Sequence, residues 1–181
     1  MIQELKIATT RVGVLIGKGG ATKKELEAKT QTTISIDSKE GLVKVEGAEE
    51  NAIQLLRAVE IVNAINAGFS PERAFEMIED EDLLLDIIDL SKSADNPRQL
   101  DRLRGRIIGK DGRAREQIEN MTDVDISVFG HTVALIGYPE QMKVARSAID
   151  MLIQGIPHEN VFAFLDKKKK EAKQDMISYY Y

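Results

Sequence analysis

The sequence has no cysteine and no tryptophan, and aromatic residues make up only 5% of its 181 residues. Without cysteine the chain can form neither disulfide bonds nor thiolate zinc sites, and thiol catalysis is excluded. No apolar run approaches the roughly 18 residues of a membrane helix. Charges also interrupt the first residues, where a signal peptide would be apolar. These absences predict a cytoplasmic protein that does not enter a membrane and has cores of Ile, Leu, Val and Ala.

The net charge is −5, but the charges are unevenly distributed along the chain. Residues 98–115 include seven basic and two acidic residues, and residues 11–29 include five basic and two acidic residues. Residues 72–89, by contrast, include eight acidic residues and one arginine. Both basic clusters surround a glycine-rich stretch, and these two stretches are therefore the expected binding sites of a polyanion such as nucleic acid.

The glycine-rich stretches are two copies of one motif, VLIGKGG at residues 14–20 and RIIGKDG at residues 106–112. A shift of 92 residues superposes their glycines and lysines, and it also places Ile34 on Ile126. An internal repeat of this length predicts two similar domains. We place the first domain, with a trailing helix, at residues 1–80. The second, with a lysine-rich C-terminal helix or tail, is placed at residues 82–181.

Each copy has the same order of local patterns. A short strand and a short helix precede the loop, and a helix, two alternating strands and an amphipathic helix follow it. The sequence therefore predicts an α+β fold with two tandem domains of the order β-α-α-β-β-α. In each domain a three-stranded sheet packs on helices, and an extra helix follows the domain in the chain. Ser70-Pro71 and Asn96-Pro97 are typical helix starts. The first helix of the second copy is predicted to be longer, and the extension to include Arg98, Arg102 and Arg104.

The loops do not fit nucleotide-binding enzymes. A P-loop needs four residues between its glycines and a Ser or Thr after the lysine, whereas three residues separate Gly13 from Gly17, and Gly19 follows Lys18. A dinucleotide loop would need a glycine at Thr22. No serine occurs in a nucleophile motif, and the two histidines, His131 and His158, have no partners at metal-ligand spacing. We therefore expect no cofactor, no metal and no enzymatic activity.

The spacing G-x-x-G between two short helices instead suits an RNA clamp. Glycines let the sugar-phosphate backbone approach closely, and the following helix directs its positive N-terminal end at the phosphates. Lysines and arginines add charge, while apolar residues beside the loop can form a groove for unstacked bases. The candidate RNA-binding residues are Arg11, Val14, Ile16, Gly17, Lys18, Gly19, Gly20, Lys23, Lys24, Ile34, Ile36, Arg102, Arg104, Arg106, Ile107, Ile108, Gly109, Lys110, Asp111, Gly112, Arg113 and Ile126.

Both copies resemble KH domains, through IGKGG at residues 16–20 and IGKDG at residues 108–112 in their βα and αββα contexts. A single strand before the first loop resembles the eukaryotic type I topology. The whole layout resembles the archaeal ribosomal RNA-processing proteins of the Krr/Dim/partner-of-Nob group. That resemblance implies binding of single-stranded RNA in the small-subunit rRNA or its precursor near the 3′ end. It also implies a protein partner, either the Nob endonuclease or another ribosome-assembly or translation factor.

Two other RNA-binding functions stay open from the sequence. An adaptor in RNA turnover, of the exosome type, would be expected to have a barrel domain before the KH domain. A transcription-elongation KH pair would be expected to have the other KH topology. We expect the arginine-rich second domain to contribute more affinity than the first. The competing interpretation is that these arginines pair with the acidic residues 72–89.

Overall fold

The structure is a computed structural model that describes residues 1–180, and the chain forms two compact units, residues 1–83 and the residues from 84 onward. The elements of the first unit are β1 (Ile2–Lys6), α1 (Thr9–Ile16), α2 (Ala21–Thr30), β2 (Thr33–Asp37), β3 (Leu42–Glu46), α3 (Ala52–Asn66) and α4 (Pro71–Glu79). Those of the second are β4 (Leu84–Asp89), α5 (Pro97–Ile108), α6 (Arg113–Thr122), β5 (Asp125–Phe129), β6 (Thr132–Gly137), α7 (Pro139–Ile153) and α8 (His158–Tyr180). The predicted β-α-α-β-β-α order, with one further helix in each unit, is confirmed.

Each sheet is antiparallel throughout, and its last strand in the chain is the central one. The strand orders are β1-β3-β2 and β4-β6-β5. Ile34 in β2 lies opposite Val45 in β3, and Ile126 in β5 lies opposite Leu135 in β6. The strands β2 and β5, which follow the loop and its second helix, are therefore edge strands, so each has one side without a strand neighbour.

The helices cover one face of each sheet and enclose an aliphatic core. In the first unit Leu15, Leu26 and Leu55 are fully buried between the helices and the sheet. In the second, Ile107, Ile118 and Ile149 belong to one buried cluster. Burying one such side chain contributes about 1.5–3 kcal/mol. The helices on either side of each loop are thus anchored by their own core residues, and each loop has a fixed base.

Two helix starts agree with their sequence signals. The Ser70 hydroxyl accepts a hydrogen bond from the Arg73 N–H, and the Asn96 side chain accepts one from the Gln99 N–H. Each cap is followed by a proline at the first helical position, where no N–H is needed. The predicted difference in length is also present, because α5 has 12 residues and α1 has 8.

The segment that leads into α5 is ordered by Asp89. Its Oδ1 accepts hydrogen bonds from the Ser91 N–H at 3.0 Å and from the Ser91 hydroxyl at 2.6 Å, and it lies 3.0 Å from His131 Nδ1. These hydrogen bonds from Ser91, together with His131, lower the pKa of Asp89 to about 2. The carboxylate thus joins the end of β4 to the turn between β5 and β6 and directs the chain towards α5.

The C-terminal helix α8 has 23 residues, or about 35 Å of length at 1.5 Å per residue. Val161 and Leu165 are buried, whereas residues 166–180 are exposed. The first two turns therefore belong to the core of the second unit, and the lysine-rich part is solvated. Within residues 1–180, no helix combines the length and apolarity needed to span a membrane.

Candidate nucleic-acid interface

The two glycine loops have nearly identical backbones. Gly17 has φ 76° and ψ 174°, and Gly109 has φ 74° and ψ 179°. This region of φ and ψ is accessible almost only to glycine. In each loop the first glycine donates its N–H to the carbonyl four residues earlier, which ends the preceding helix. The first glycine is therefore required by the backbone itself, whether or not a ligand binds.

The middle of each loop is left-handed and open to solvent. Gly19 has φ 62°, and Asp111 at the equivalent position has φ 55°. Aspartate tolerates this conformation better than most residues because its short polar side chain can bond locally. The acid in the second loop is thus compatible with the same loop shape. Lys18 and Lys110 are exposed at the crest of their loops.

The last loop glycines, Gly20 and Gly112, begin the second helix of each domain. Neither α2 nor α6 has a side-chain hydrogen bond at its N-cap. The first N–H groups of a helix have no acceptor within the helix, and the helix dipole makes this end positive. Each loop therefore presents backbone donors and a lysine side by side, which is the chemistry that binds a phosphate group.

A carboxylate on the second helix holds the neighbouring edge strand. Glu27 on α2 accepts a hydrogen bond from the Ile34 N–H at 2.9 Å, and Glu119 on α6 accepts one from the Ile126 N–H at 3.0 Å. The Arg115 guanidinium in turn pairs with Glu119. Each carboxylate thus satisfies one N–H on the free side of an edge strand and ties this strand to the helix that forms the other wall of the groove.

The groove floor begins at a glycine inside each first helix. Beside Gly13 and Gly105, a side chain would meet no other atom within 4 Å, although glycine in a helix costs about 1 kcal/mol. The open space at both positions lets a ligand approach the helix backbone. Four predicted apolar residues are half-buried, with part of their surface accessible: Val14, Ile16, Ile36 and Ile108.

For three apolar residues, the predicted place in the groove is wrong. Ile34, Ile107 and Ile126 are 1%, 0% and 2% exposed, because they point into the aliphatic cores. Both strands alternate as predicted, but the helices cover the inward face that carries Ile34 and Ile126, and Ile107 is on the inward face of α5. These side chains support the groove from below and present no surface to RNA.

Arg11 and Arg106 also have a different environment from the one predicted. Arg11 donates to the Ile65 and Phe69 carbonyls, both at 2.8 Å, and burial lowers its pKa. Arg106 donates to the Leu152 carbonyl at 3.0 Å and to the Ile156 carbonyl at 2.6 Å. The four carbonyls occupy equivalent places in the last turns of α3 and α7 and just after these helices, whereas the two arginines occupy different positions in the loop alignment. Both arginines fasten the first helix of their domain to the helix that closes the fold.

Replacing Arg11 by methionine is expected to lower the free energy of unfolding by about 1–3 kcal/mol, because two carbonyls lose a charged donor. RNA affinity should change little. Lys24→Met is the matched control, since Lys24 is an exposed cation on α2. It should weaken RNA binding and leave stability unchanged. Urea unfolding and RNA titration of both variants measure the two effects. An equal loss of RNA affinity in both variants would show that Arg11 contacts RNA.

The remaining cations fall into two groups. Lys18, Lys24, Arg102, Lys110 and Arg113 are exposed. Lys23 lies 3.4 Å from Glu27, and Arg104 lies 3.8 Å from Asp101, with its Nε buried and without a hydrogen-bond partner in the described residues. Arg102, Arg104 and Arg106 all lie on α5, and of these three only Arg102 has both an exposed side chain and no carboxylate neighbour within residues 1–180.

Two residues near the second loop were missed in the sequence. The His158 Nε2 donates a hydrogen bond to the Arg106 carbonyl at 2.7 Å, and its ring lies 6.2 Å from that of Phe162. His158, which the sequence marks only by its lack of metal-ligand spacing, therefore joins the start of α8 to α5. The sequence repeat could have identified Phe162. Phe75 in α4 and Phe162 in α8 are the same number of residues from the end of the preceding core helix.

Comparison with known proteins gives matches over most of the chain. The family model described as the eukaryotic-type KH domain (KH domain type I) matches residues 84–170, and the model of the KH domain matches residues 2–61. A KH domain-containing protein of Methanocaldococcus jannaschii is 38% identical over 96% of this chain and 76% of its own length.

Two further matches come from other organisms. One is a chain in the crystal structure of the a/eIF2alpha–aDim2p–rRNA complex from Pyrococcus horikoshii OT3. It has a TM-score of 0.88 and 44% identity over 94% of this chain and 95% of that one. The pre-rRNA-processing protein pno1 of Emericella nidulans is 27% identical over 81% of this chain, which spans 57% of that protein. With both domain models matched and the fold shared at this identity, the chain belongs to the KH-domain family, with two tandem domains of the type found in Pno1 and archaeal Dim2p.

Proposed function

We propose that this chain is a non-catalytic protein that binds single-stranded RNA and acts in small-subunit ribosome assembly and rRNA processing. The observation that carries the proposal is the duplicated loop, in which the same glycine backbone, uncapped helix end and exposed lysine occur twice. The names of its relatives support the process, since one is a pre-rRNA-processing protein and another is present in a complex with rRNA.

In this proposal each loop binds the sugar-phosphate backbone, and the bases lie in the adjoining groove. The phosphates receive hydrogen bonds from the first N–H groups of α2 or α6 and charge from Lys18 or Lys110. Gly13 or Gly105 lets a base approach the first helix, beside half-buried Ile16 or Ile108. Lys24 and the loop glycines Gly19 and Gly20 complete the first site. Nothing in this arrangement requires the protein to transfer a proton or a group.

The RNA partner is proposed to be small-subunit rRNA or its precursor near the 3′ end, in the cytoplasm. A translation initiation factor is a proposed protein partner, because the relative of known structure is in a complex with a/eIF2alpha as well as rRNA. The Nob endonuclease is a second proposed partner, and it rests on the family resemblance alone. In cells, crosslinking followed by sequencing of the bound RNA would distinguish rRNA precursors from the mixed transcripts expected of an RNA-turnover adaptor.

The protein is expected to bind single-stranded RNA at least about tenfold more tightly than a duplex of the same length, because unpaired bases alone can enter the groove. Titration of a labelled oligonucleotide, with and without its complement, measures this ratio at one salt concentration. The matched control is the same pair of RNAs at higher salt, where nonspecific charge attraction is much weaker and the ratio should persist. Equal affinities for single-stranded and duplex RNA would mean that the protein binds RNA by charge attraction alone and that the groove does not hold unpaired bases.

A further inference from the structure

The second domain has a basic cavity on the side of its loop that faces α8. The cavity has a volume of about 630 Å³ and lies between α5, the loop, the start of α6 and the first turns of α8. Arg102, Arg106, Lys110 and Arg113 line it, together with the aromatic side chain of Phe162. Its lining residues include no acid. The cavity therefore combines an aromatic surface with four cations.

This cavity and the proposed base-binding groove lie on roughly opposite sides of α6. Ala114 and Gln117 face the cavity, whereas Arg115 and Glu119 bond to the backbone of Ile126 in β5. With about 3.6 residues per turn, these two pairs lie on opposite faces of the helix. Gly109 and Lys110 of the loop, and Gly105 of α5 at the groove floor, also line the cavity, so they border both surfaces. The loop is thus a narrow ridge between two binding surfaces.

The cations of the cavity are not neutralised within the protein. Within residues 1–180, Arg102, Arg106, Lys110 and Arg113 form no ion pair with a carboxylate, whereas Arg115 and Arg146 do. Arg106 is held in place by two neutral carbonyls, so its charge is fixed in position and uncompensated. Preorganised, unpaired cations in a concave surface favour an anionic ligand.

The equivalent surface of the first domain has the opposite charge. Between α2 and α4 a cavity of about 300 Å³ contains Phe75, at the place that corresponds to Phe162. Its lining includes four glutamates and one lysine: Glu25, Glu72, Glu76, Glu79 and Lys29. Lys29 is already paired with Glu25 and Glu79, which raise its pKa. The shared helix pair therefore does not by itself produce a basic cavity, and only the second domain can accept an anion there.

We propose that the basic cavity binds an additional unpaired nucleotide of the same RNA strand whose neighbouring nucleotides occupy the groove of the second domain. The phosphate would contact Arg102 and Arg113, and the base would stack on Phe162, as bases do on aromatic platforms of single-strand-binding proteins. The strand would pass over the loop at Lys110. This inference rests on the proposed RNA-binding function and adds a second site to it.

The test compares RNAs of about four and about ten nucleotides, since a KH groove holds about four. The wild-type full chain should bind the longer RNA at least about tenfold more tightly, because one or two additional bases can stack on the protein. The double variant Arg102→Glu, Arg113→Glu should lose most of this gain, because its affinity should fall further for the long RNA than for the short one. Phe162→Leu, which preserves an apolar side chain, should lose part of the gain. The control, Lys169→Glu with Lys173→Glu on exposed α8, makes the same change in charge outside the cavity.

Three outcomes would overturn the inference, each in a different way. If both cavity variants keep the wild-type ratio of affinities for long and short RNA, the cavity does not bind RNA and would suit another ligand, such as an acidic protein segment. Equal losses for short and long RNA in the arginine variant would assign Arg102 and Arg113 to the groove itself. Failure of wild-type protein to bind either RNA would instead refute the proposed RNA-binding function.

Discussion

Reversing the charge of both loops is expected to lower the affinity for single-stranded RNA by about 100-fold without unfolding the protein. The changes are Lys110→Asp in the second loop and Lys18→Asp with Gly19→Asp in the first. A charge-assisted hydrogen bond contributes about 1.5–3 kcal/mol, so each loop should account for roughly tenfold. The fold should survive because these side chains are exposed, and because Asp111 already has the left-handed backbone that Gly19 has.

Each loop should also be changed alone, because the two domains need not contribute equally. Lys173→Asp, on an exposed turn of α8, is the control for the change in net charge. The slope of log affinity against log salt should become less steep by about 0.7 for each lost phosphate contact on a single strand. Loop variants with wild-type affinity at moderate salt would show that RNA does not bind at the loops.

Replacing Gly109 by alanine is expected to destabilise the second domain by about 3 kcal/mol or more. A Cβ at Gly109 would lie 2.5 Å from the Ala114 Cβ and 2.8 Å from the Ala114 backbone nitrogen. The backbone there, with φ 74° and ψ 179°, is also unfavourable by about 1–3 kcal/mol for any residue with a side chain. Both terms act against the folded state, since the unfolded chain has neither restriction.

Gly112→Ala is the matched control for this prediction. Gly112 has φ 75° and ψ 9°, and the nearest atom to a Cβ there is 3.9 Å away. Its cost should be only about 1–2 kcal/mol, the penalty of the left-handed conformation. Urea unfolding of both variants, followed by circular dichroism because the chain has no tryptophan, measures the difference. Similar losses at both glycines would mean that the loop shape relaxes more easily than its contacts imply.

The correct sequence predictions concern features that short stretches of chain encode. The two G-x-x-G motifs, the caps at Ser70 and Asn96 and the alternating strands each depend on residues a few positions apart. Such local preferences act before any tertiary contact forms, and here they agree with the final fold. Because the sequence is repeated, each element could be predicted twice, once from each copy. For this reason the order of the elements, the longer helix α5 and the position of both loops could be derived from the sequence.

The errors concern features that depend on residues far apart in the chain. Ile34 and Ile126 were expected in the groove because their strands alternate, but alternation does not say which face the helices will cover. Arg11 is a candidate RNA-binding residue by its charge, although its guanidinium binds carbonyls more than 50 residues away. Arg106 also binds distant carbonyls, and packing places it in the cavity beside the loop. The number of donors on an arginine is visible in the sequence, whereas the acceptors that come within reach are set by packing.

The sequence by itself therefore determined the family, the duplicated loop and the chemistry of phosphate binding, because these require only glycines, lysines and their spacing. The tertiary structure decided which cations remain unpaired and where they converge. Arg102 and Phe162 are 60 residues apart in the sequence, and they line one cavity only because α8 packs beside α5 and α6. The physical reason is that charge and propensity belong to single residues, whereas accessibility and convergence arise only when helices pack on the sheet.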